Sequence, residues 1–234
     1  MKVSVIMNTV GERQDYLSLA IESYLDQKGC EVELIISTIT GDVNINFIKE
    51  KYPQVKIITM DKLCEKSPKG SFLQLNNAFP HITGDWFTFA SSNDIAIQTK
   101  LIQEVEMCLN NGKKEVCYSS FHLIDEIGNL IRTQLFFPYN YDKHLIGNFV
   151  SDCALISKRL VDEYLPFKVD LNNYAYWDLW LRIYEGEGNV FIYNKTPTWG
   201  YRQIETSMHI DRQKSELKLA EAKRDKEIML NLHR

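Results

Sequence analysis

The sequence predicts an α/β protein with a mostly parallel, mixed central sheet, and three observations carry that expectation. Short apolar runs rich in β-branched residues alternate with segments of helical periodicity, roughly one pair every 25–30 residues in the first half. Each of those runs stops abruptly in small polar residues. No linker rich in Gly, Ser or Pro and no internal repeat breaks the 234 residues, so one domain with two halves is expected.

Taken in order, "VSVIMNT" (3–9) is a buried strand. "QDYLSLAIESYLDQKG" follows as a helix, with Leu17, Ile21, Tyr24 and Leu25 at helical spacing and Gly29 as its stop. "VELIIST" (32–38) is a second strand, "NINFIKEKYP" a short helix closed by Pro53, and "VKIITM" (55–60) a third strand. A polar stretch with Pro68 and Gly70 leads into the helix "SFLQLNNAF", then the strand "WFTFA" (86–90) and the helix "TKLIQEVEMCLNNG" (99–112). After Gly112 the rhythm changes. "EVCYSSFHLID" and "LIRTQLFF" read as strands joined across "EIGN", "SKRLVDEYL" and "WDLWLRIYEG" as helices, and "NVFIYN" as a late strand. The last stretch, from Asp211, reads as a solvated helix docked at one edge, its apolar stripe being weak.

Composition narrows the partners. A net charge of −4 argues against nucleic acid held by bulk electrostatics. The apolar runs are too short to span a bilayer, and the N-terminus lacks the long apolar core and cleavage site of a signal peptide. Five cysteines, odd in number and with no CxxC spacing, fit a reducing compartment, so a cytoplasmic location is expected.

In open parallel sheets ligands bind beyond the carboxyl ends of the strands. Those ends are Asn8-Thr9-Val10-Gly11-Glu12, Thr38-Ile39-Thr40-Gly41-Asp42, Asp61-Lys62 and Ser91-Ser92-Asn93-Asp94. Their hydroxyls, amides and glycines suit a nucleotide. There is no GxGxxG after the first strand and no GxxxxGK[ST], which argues against a dinucleotide Rossmann site and excludes a P-loop.

With these segments in view, the chain resembles the family-2-type glycosyltransferases of the GT-A fold. The family's "VSVIIPTYNRxxYLxxAIESVLxQ" is met by "VSVIMNTVGERQDYLSLAIESYLDQ" at 3–27, and its "ELIIVDDGSTD" by "ELIISTITGDV" from Glu33. "NNAFPHITGDWFTFASSNDIAIQTKLIQE" from Asn76, "YSSFHLIDEIGNLI" from Tyr118, "AYWDLWLRI" from Ala175 and Tyr201-Arg202 follow in family order, covering nearly the whole chain. The resemblance implies a Rossmann-like three-layer α/β/α sandwich with a nucleotide-sugar-binding half (1–98), an acceptor-binding half (99–210) and a C-terminal helix (211–234). It implies an inverting glycosyltransferase of polysaccharide biosynthesis, with a UDP, GDP or dTDP sugar as donor, a glycan or lipid-linked acceptor, and peripheral membrane contact. The alternative is a nucleotide-sugar-binding module without catalysis.

The departures are equally specific. The family's Asp pair after strand two falls on Thr38-Ile39; the nearest acid, Asp42, is either a nucleotide contact or the cap of the next helix. The family's DxD falls on Ser91-Ser92-Asn93, with Asp94 beside it, so the motif is degenerate. Asp94 is expected to hold Mn²⁺ or Mg²⁺ with help from Asn93 and substrate phosphates, or else to cap a turn; His209 is a second candidate metal ligand. Arg202, with Lys66 and Lys69 as weaker candidates, would stabilise the leaving diphosphate. The nucleotide-sugar site is thus expected from Thr9, Val10, Gly11, Glu12, Thr38, Asp42, Lys69, Asn76, Ser92, Asn93 and Arg202. For the catalytic base, the family's usual Asp falls on Tyr176; Asp178 survives beside it, and Asp152 in "GNFVSDCALIS" is the alternative. Tyr176, with an ordinary pKa of about 10, suits a sugar contact better than base duty. Trp177, Trp180 and Trp199 are candidates for a sugar platform, Trp180 being equally at home in the core.

Overall fold

Val3, Val5 and Met7 turn to one side of strand β1 (Lys2–Asn8) and Ile6 to the other, and all four are fully buried. The same alternation recurs in β2 (Glu31–Ile39), where Leu34 and Ile36 oppose Ile35, and in β4 (Trp86–Ser91), where Phe87 and Phe89 oppose Trp86 and Ala90. A strand apolar on both faces needs helices on both faces, which is the setting of a parallel sheet. The structure is a computed structural model that describes residues 1–61, 68–112, 114–204 and 216–233.

One helical layer consists of α1 (Gln14–Leu25), α2 (Ile45–Lys51) and α4 (Lys100–Asn110), which pack Leu17, Ile21, Ile48, Leu101 and Val105 against the sheet. The other consists of α3 (Pro68–Ala78), α6 (Lys158–Tyr164) and α7 (Ala175–Glu187), which contribute Phe72, Leu75, Leu160, Trp180 and Ile183. The expected three layers are therefore present.

The sheet runs β3–β2–β1–β4–β8–β6–β9–β5, with β3 (Lys56–Met60), β5 (Ile95–Ala96), β6 (Val116–Ile124), β8 (Leu155–Ser157) and β9 (Phe191–Arg202). Strands β3, β2, β1 and β4 are mutually parallel; β8 then enters antiparallel, and β6 and β9 pair parallel to each other. Among the described residues strand β7 (Leu130–Gln134) bonds to β6 alone, and its Leu130 and Ile131 are more than half exposed.

The first half follows the expected order, with strand ends within one or two residues. Other pieces, mostly in the second half, are absent from the sequence reading. Strands β5 and β8 are two and three residues long, too short to show a period, and exist because β9 and β4 supply their partners. Strand β9 continues past "NVFIYN" through Trp199, Tyr201 and Arg202 after a register shift against β6. A short helix, α5 (Tyr141–Ile146), is capped by the Asn140 side chain. The C-terminal helix α8 (Glu216–Asn231) places Met229 in the core and Lys226 over the Trp177 ring, and residues 211–215 of the expected helix lie outside the described residues.

The turn into β4 is a tight backbone junction. Gly84 donates its N–H to Ser4 Oγ at 2.8 Å, and a Cβ added to Gly84 would lie 2.6 Å from the Ser4 nitrogen and 2.9 Å from the Lys2 carbonyl oxygen. Those are backbone atoms of the central strand and cannot turn aside. Gly84→Ala is therefore expected to lower the unfolding free energy by about 1–3 kcal/mol, read from urea denaturation at unchanged m-value.

Candidate active site

The strand register brings the polar ends together. Asn8 of β1 is level with Ser37 of β2 and with Ser91 of β4, so the loops after these strands open on one edge. On that edge Asp42 is a buried junction. Its Oδ2 accepts from the Gly11 N–H at 2.8 Å and from Thr38 Oγ1 at 3.0 Å, and its Oδ1 from the Asn44 N–H at 2.8 Å. Asp42 is not the cap of α2, whose N-cap is Asn44; it ties the loop after β2 to the loop after β1. Asn44 strengthens that tie by donating from Nδ2 to the Glu12 carbonyl at 2.9 Å. Gly11 takes φ +61°, which favours glycine, and a side chain would meet nothing there, so its cost would be backbone strain. Val10 is half-buried, while Thr9 is buried and its Oγ1 has no hydrogen-bond partner.

At the end of β4 the chain makes the Ser91–Asp94 turn. Ser91 Oγ donates to Asn93 Oδ1, and Ser92 is buried. Strand β5 then pairs Ile95 with Gly200 of β9, which sets Asp94 beside Arg202. Asp94 Oδ1 accepts from the Arg202 backbone N–H at 2.8 Å. The Arg202 Nε donates to the Asn93 carbonyl at 2.9 Å and its Nη1 to the Glu126 carbonyl at 2.7 Å, so the side chain clamps the β4 turn to the β6–β7 hairpin. Its guanidinium lies 4.8 Å from the centre of the Tyr16 ring, and Arg13 lies 4.2 Å from the same ring. Arg202 is 1% exposed, and its Nη2 is without a hydrogen-bond partner among the described residues. A buried guanidinium N–H with no acceptor is costly unless a ligand completes it.

Burial raises the Asp94 carboxyl to about 7, and the Arg202 backbone bond, the Arg202 charge and Ser91 hold it down only in part. This donor set does not fit a protein-built metal centre: one carboxylate, already bonded and pushed toward neutrality, with no group of three His, Cys, Asp or Glu able to hold an ion among the described residues. His209 and Lys66 lie outside the described residues.

Asp152 differs from every other acid here. Its side chain is open to solvent, yet protein crowds it enough for burial to raise its carboxyl to about 6. Asp94, Tyr176 and Tyr201 all sense the Asp152 charge, so these four groups share the site. The neighbouring Ser151 is buried with its Oγ unpartnered. Tyr201 was not singled out from sequence as a site residue; the signal was its place beside Arg202 in the matched "YR" pair.

The remaining candidates go elsewhere. Asp178 is fully buried in the first turn of α7, where Oδ2 accepts from Arg182 Nε at 2.7 Å, and Oδ1 from Lys168 Nζ at 3.0 Å and His233 Nε2 at 3.2 Å. Burial opposes its charge, but His233, Arg182 and Lys168 outweigh that and hold the carboxyl at about 2. It is an ion-pair anchor and a weak proton acceptor. Asn76 bonds both ends of its amide to the Phe167 backbone, at 3.0 and 2.9 Å, which pins α3 to that loop. Lys69 pairs with Asp170 at 2.7 Å on the surface. No three-Trp platform forms: Trp180 is core, Trp177 is buried with Nε1 bonded to the His144 carbonyl, and Trp199 is buried against Phe121.

The Asp178 cluster has a defined pH signature. Its folded pKa of about 2 lies below the ordinary 3.8, so its stabilisation is present above that ordinary value and drains away as pH falls toward 2. Burial lowers the pKa of His233, but its bonds to Asp178 and Glu185 prevail and raise it above 6.5; its contribution is complete below 6.5 and lost as pH rises through the folded value. Asp178→Asn is expected to cost up to about 3 kcal/mol of unfolding free energy at pH 6, because it removes the counter-charge of the buried His233 and of the mostly shielded Arg182. Denaturant titration checks this, and a variant that keeps its stability but loses turnover would return Asp178 to the chemistry.

No protein-family model matches the chain. Over 189 residues it is 24% identical to the uncharacterized glycosyltransferase MJ1057 of Methanocaldococcus jannaschii, a match covering 77% of this chain; the chain spans 63% of that relative's length. Residues 1–349 of S. aureus TarS, solved with UDP, superpose with a TM-score of 0.67 at 15% identity, covering 100% of this chain and 72% of that one. The mannosyltransferase PcManGT of Pyrobaculum calidifontis, solved with GDP-Man and Mn²⁺, gives 0.61 at 12% identity, covering 96% and 62%. Glucosyl-3-phosphoglycerate synthase of Mycobacterium tuberculosis, solved with UDP, gives 0.60 at 15%, covering 99% and 79%. The fold is that of the GT-A glycosyltransferases.

Proposed function

We propose that the chain is a glycosyltransferase that moves a sugar from a nucleotide-diphosphate donor to a hydroxyl of a glycan or lipid-linked acceptor, with inversion at the anomeric carbon. The observation that carries this is Asp152: a solvent-open carboxylate set beside the end of β4 and close to Asp94, Tyr176 and Tyr201, with burial raising its pKa to about 6. Such a group is ionised at neutral pH and still basic enough to accept a proton. Asp152 takes the proton of the acceptor hydroxyl, the oxygen attacks the anomeric carbon, and the bond to the diphosphate breaks, leaving its electron pair on the departing phosphate. Arg202 supplies positive charge at short range to that anion. The Thr9–Glu12 loop, braced by Asp42 and Thr38, cradles the nucleoside, and Ser92 and Asn93 lie on the diphosphate side.

A divalent cation, Mn²⁺ or Mg²⁺, enters this scheme only as a companion of the substrate diphosphate, and no step depends on it. Asp178 stays in its ion-pair cluster. Asp152 favours a catalyst over a binding-only module, which has no use for a poised base. Among the described residues no helix is long and apolar enough to cross a membrane.

Two measurements test the proposal. Thermal denaturation with UDP, GDP and dTDP, each with and without Mn²⁺, is expected to show one nucleotide raising the midpoint by about 5–10 °C at 100 times its dissociation constant. No shift with any of them would remove the donor assignment. Asp152→Asn is expected to lower kcat by about 10²–10⁴-fold. Wild-type turnover should fall as pH drops through about 6, because the protonated base is inactive. Full activity in Asp152→Asn would overturn the base assignment.

A further inference from the structure

A second ion pair lies inside the protein. Lys100 and Glu104, one turn apart on α4, are both 0% exposed, and Lys100 Nζ bonds to Glu104 Oε1 at 2.6 Å and Oε2 at 2.7 Å. Each partner also reaches outward. Lys100 Nζ donates to the Cys153 carbonyl at 3.0 Å, the residue after Asp152. Glu104 Oε1 accepts from Thr198 Oγ1 at 2.7 Å, four residues before Arg202 on β9, and Thr198 Oγ1 is itself bonded to Ser119 Oγ of β6. A buried ion pair is a poor source of stability, because desolvation offsets its attraction and well-packed apolar residues often do as well. Its geometry here has a different use.

We infer that Lys100 and Glu104 are positioning residues for transfer: together they form a brace that fixes the Asp152 turn relative to the strand bearing Tyr201 and Arg202. The inference rests on the reading of Asp152 as the base. It deepens that reading by naming what sets the distance between proton acceptor and leaving-group cation. Thr88 Oγ1 also holds the Cys153 carbonyl, at 3.0 Å, and lies on β4 rather than β9.

The test is the double variant Lys100→Met with Glu104→Leu, made in the full chain. It leaves no buried group stranded, because the Cys153 carbonyl keeps Thr88 and the Thr198 and Ser119 hydroxyls keep each other. Its melting temperature is expected to match or exceed that of the wild type. Its kcat is expected to fall at least about tenfold, with KM for the donor changed less than about twofold. Independently of activity, the Ala154 amide, which closes the turn onto the Ser151 carbonyl at 3.1 Å, is expected to exchange with deuterium at least about tenfold faster. Unchanged exchange, or wild-type kcat in the folded variant, overturns the proposal. If the double variant does not fold, Thr198→Val combined with Ser119→Ala decides, since this pair leaves the ion pair, strands neither hydroxyl and cuts the tie to β9; a several-fold loss of kcat at unchanged KM supports the brace and full kcat overturns it. Full turnover in Asp152→Asn is a separate outcome: it removes the base reading and with it the catalytic role of the brace, whereas the exchange rate still reports whether the pair rigidifies the turn.

Discussion

Arg202 joins three parts of the chain that sequence keeps far apart. Its backbone N–H meets the carboxylate of Asp94, its Nε the carbonyl of Asn93, and its Nη1 the carbonyl of Glu126 at the tip of the β6–β7 hairpin. The interaction works because the guanidinium is planar and offers several donors in fixed directions, so one side chain can hold two loops at a set angle. It also imports a permanent positive charge to a depth where water cannot screen it. The burial that raises Asp94, the charge that restrains it and the unpartnered Nη2 all follow from that placement.

A second consequence concerns direction. The first four strands deliver nucleotide-type groups to one edge through parallel pairing. The chain must then reverse to bring Asp152 and Arg202 to the same edge. Antiparallel β8 performs the reversal: it pairs Leu155 with Thr88, and so sets Asp152, three residues earlier, beside the end of β4. Strand β9 returns parallel to β6 and ends at Arg202. The side that holds the Thr9–Glu12 loop therefore rests on regular secondary structure, and the side that holds Asp152 and Arg202 on two short pairings and the side-chain bonds that tie them.

That division also explains what the sequence made legible. The strand–helix alternation of the first half is local, written in β-branched runs and helical spacing, and it survives folding unchanged. Strands β5 and β8 carry no period of their own; only their partners define them. The acids show the same limit. Asp178 and Asp152 look alike as letters, and Asp178 sits in the better-matched motif. Their roles separate because Arg182, Lys168 and His233 converge on one and nothing but crowding acts on the other. His233 is 55 residues from Asp178 along the chain, a distance that no motif spans. Asn76 was misleading for a related reason: an amide matches a backbone peptide unit as well as it matches a sugar, and Phe167 is in place to take it. The hub at Asp42 shows the reverse, a site displaced from the family's motif by a few positions yet still bonded to the loop after β1.

The free flank of β7 has a bearing on the protein's behaviour in concentrated solution. Its outer backbone groups face water, and Leu130 and Ile131 stand exposed along it. A naked apolar edge of that kind invites another strand to add on, and proteins resist this by setting a charge in the strand itself. Here the strand "LIRTQ" contains one such residue, Arg132, at its midpoint. The colloidal stability of the molecule thus leans on a cation that takes part in neither the core nor the cleft, and neutralising it would be felt in solubility before it was felt in turnover.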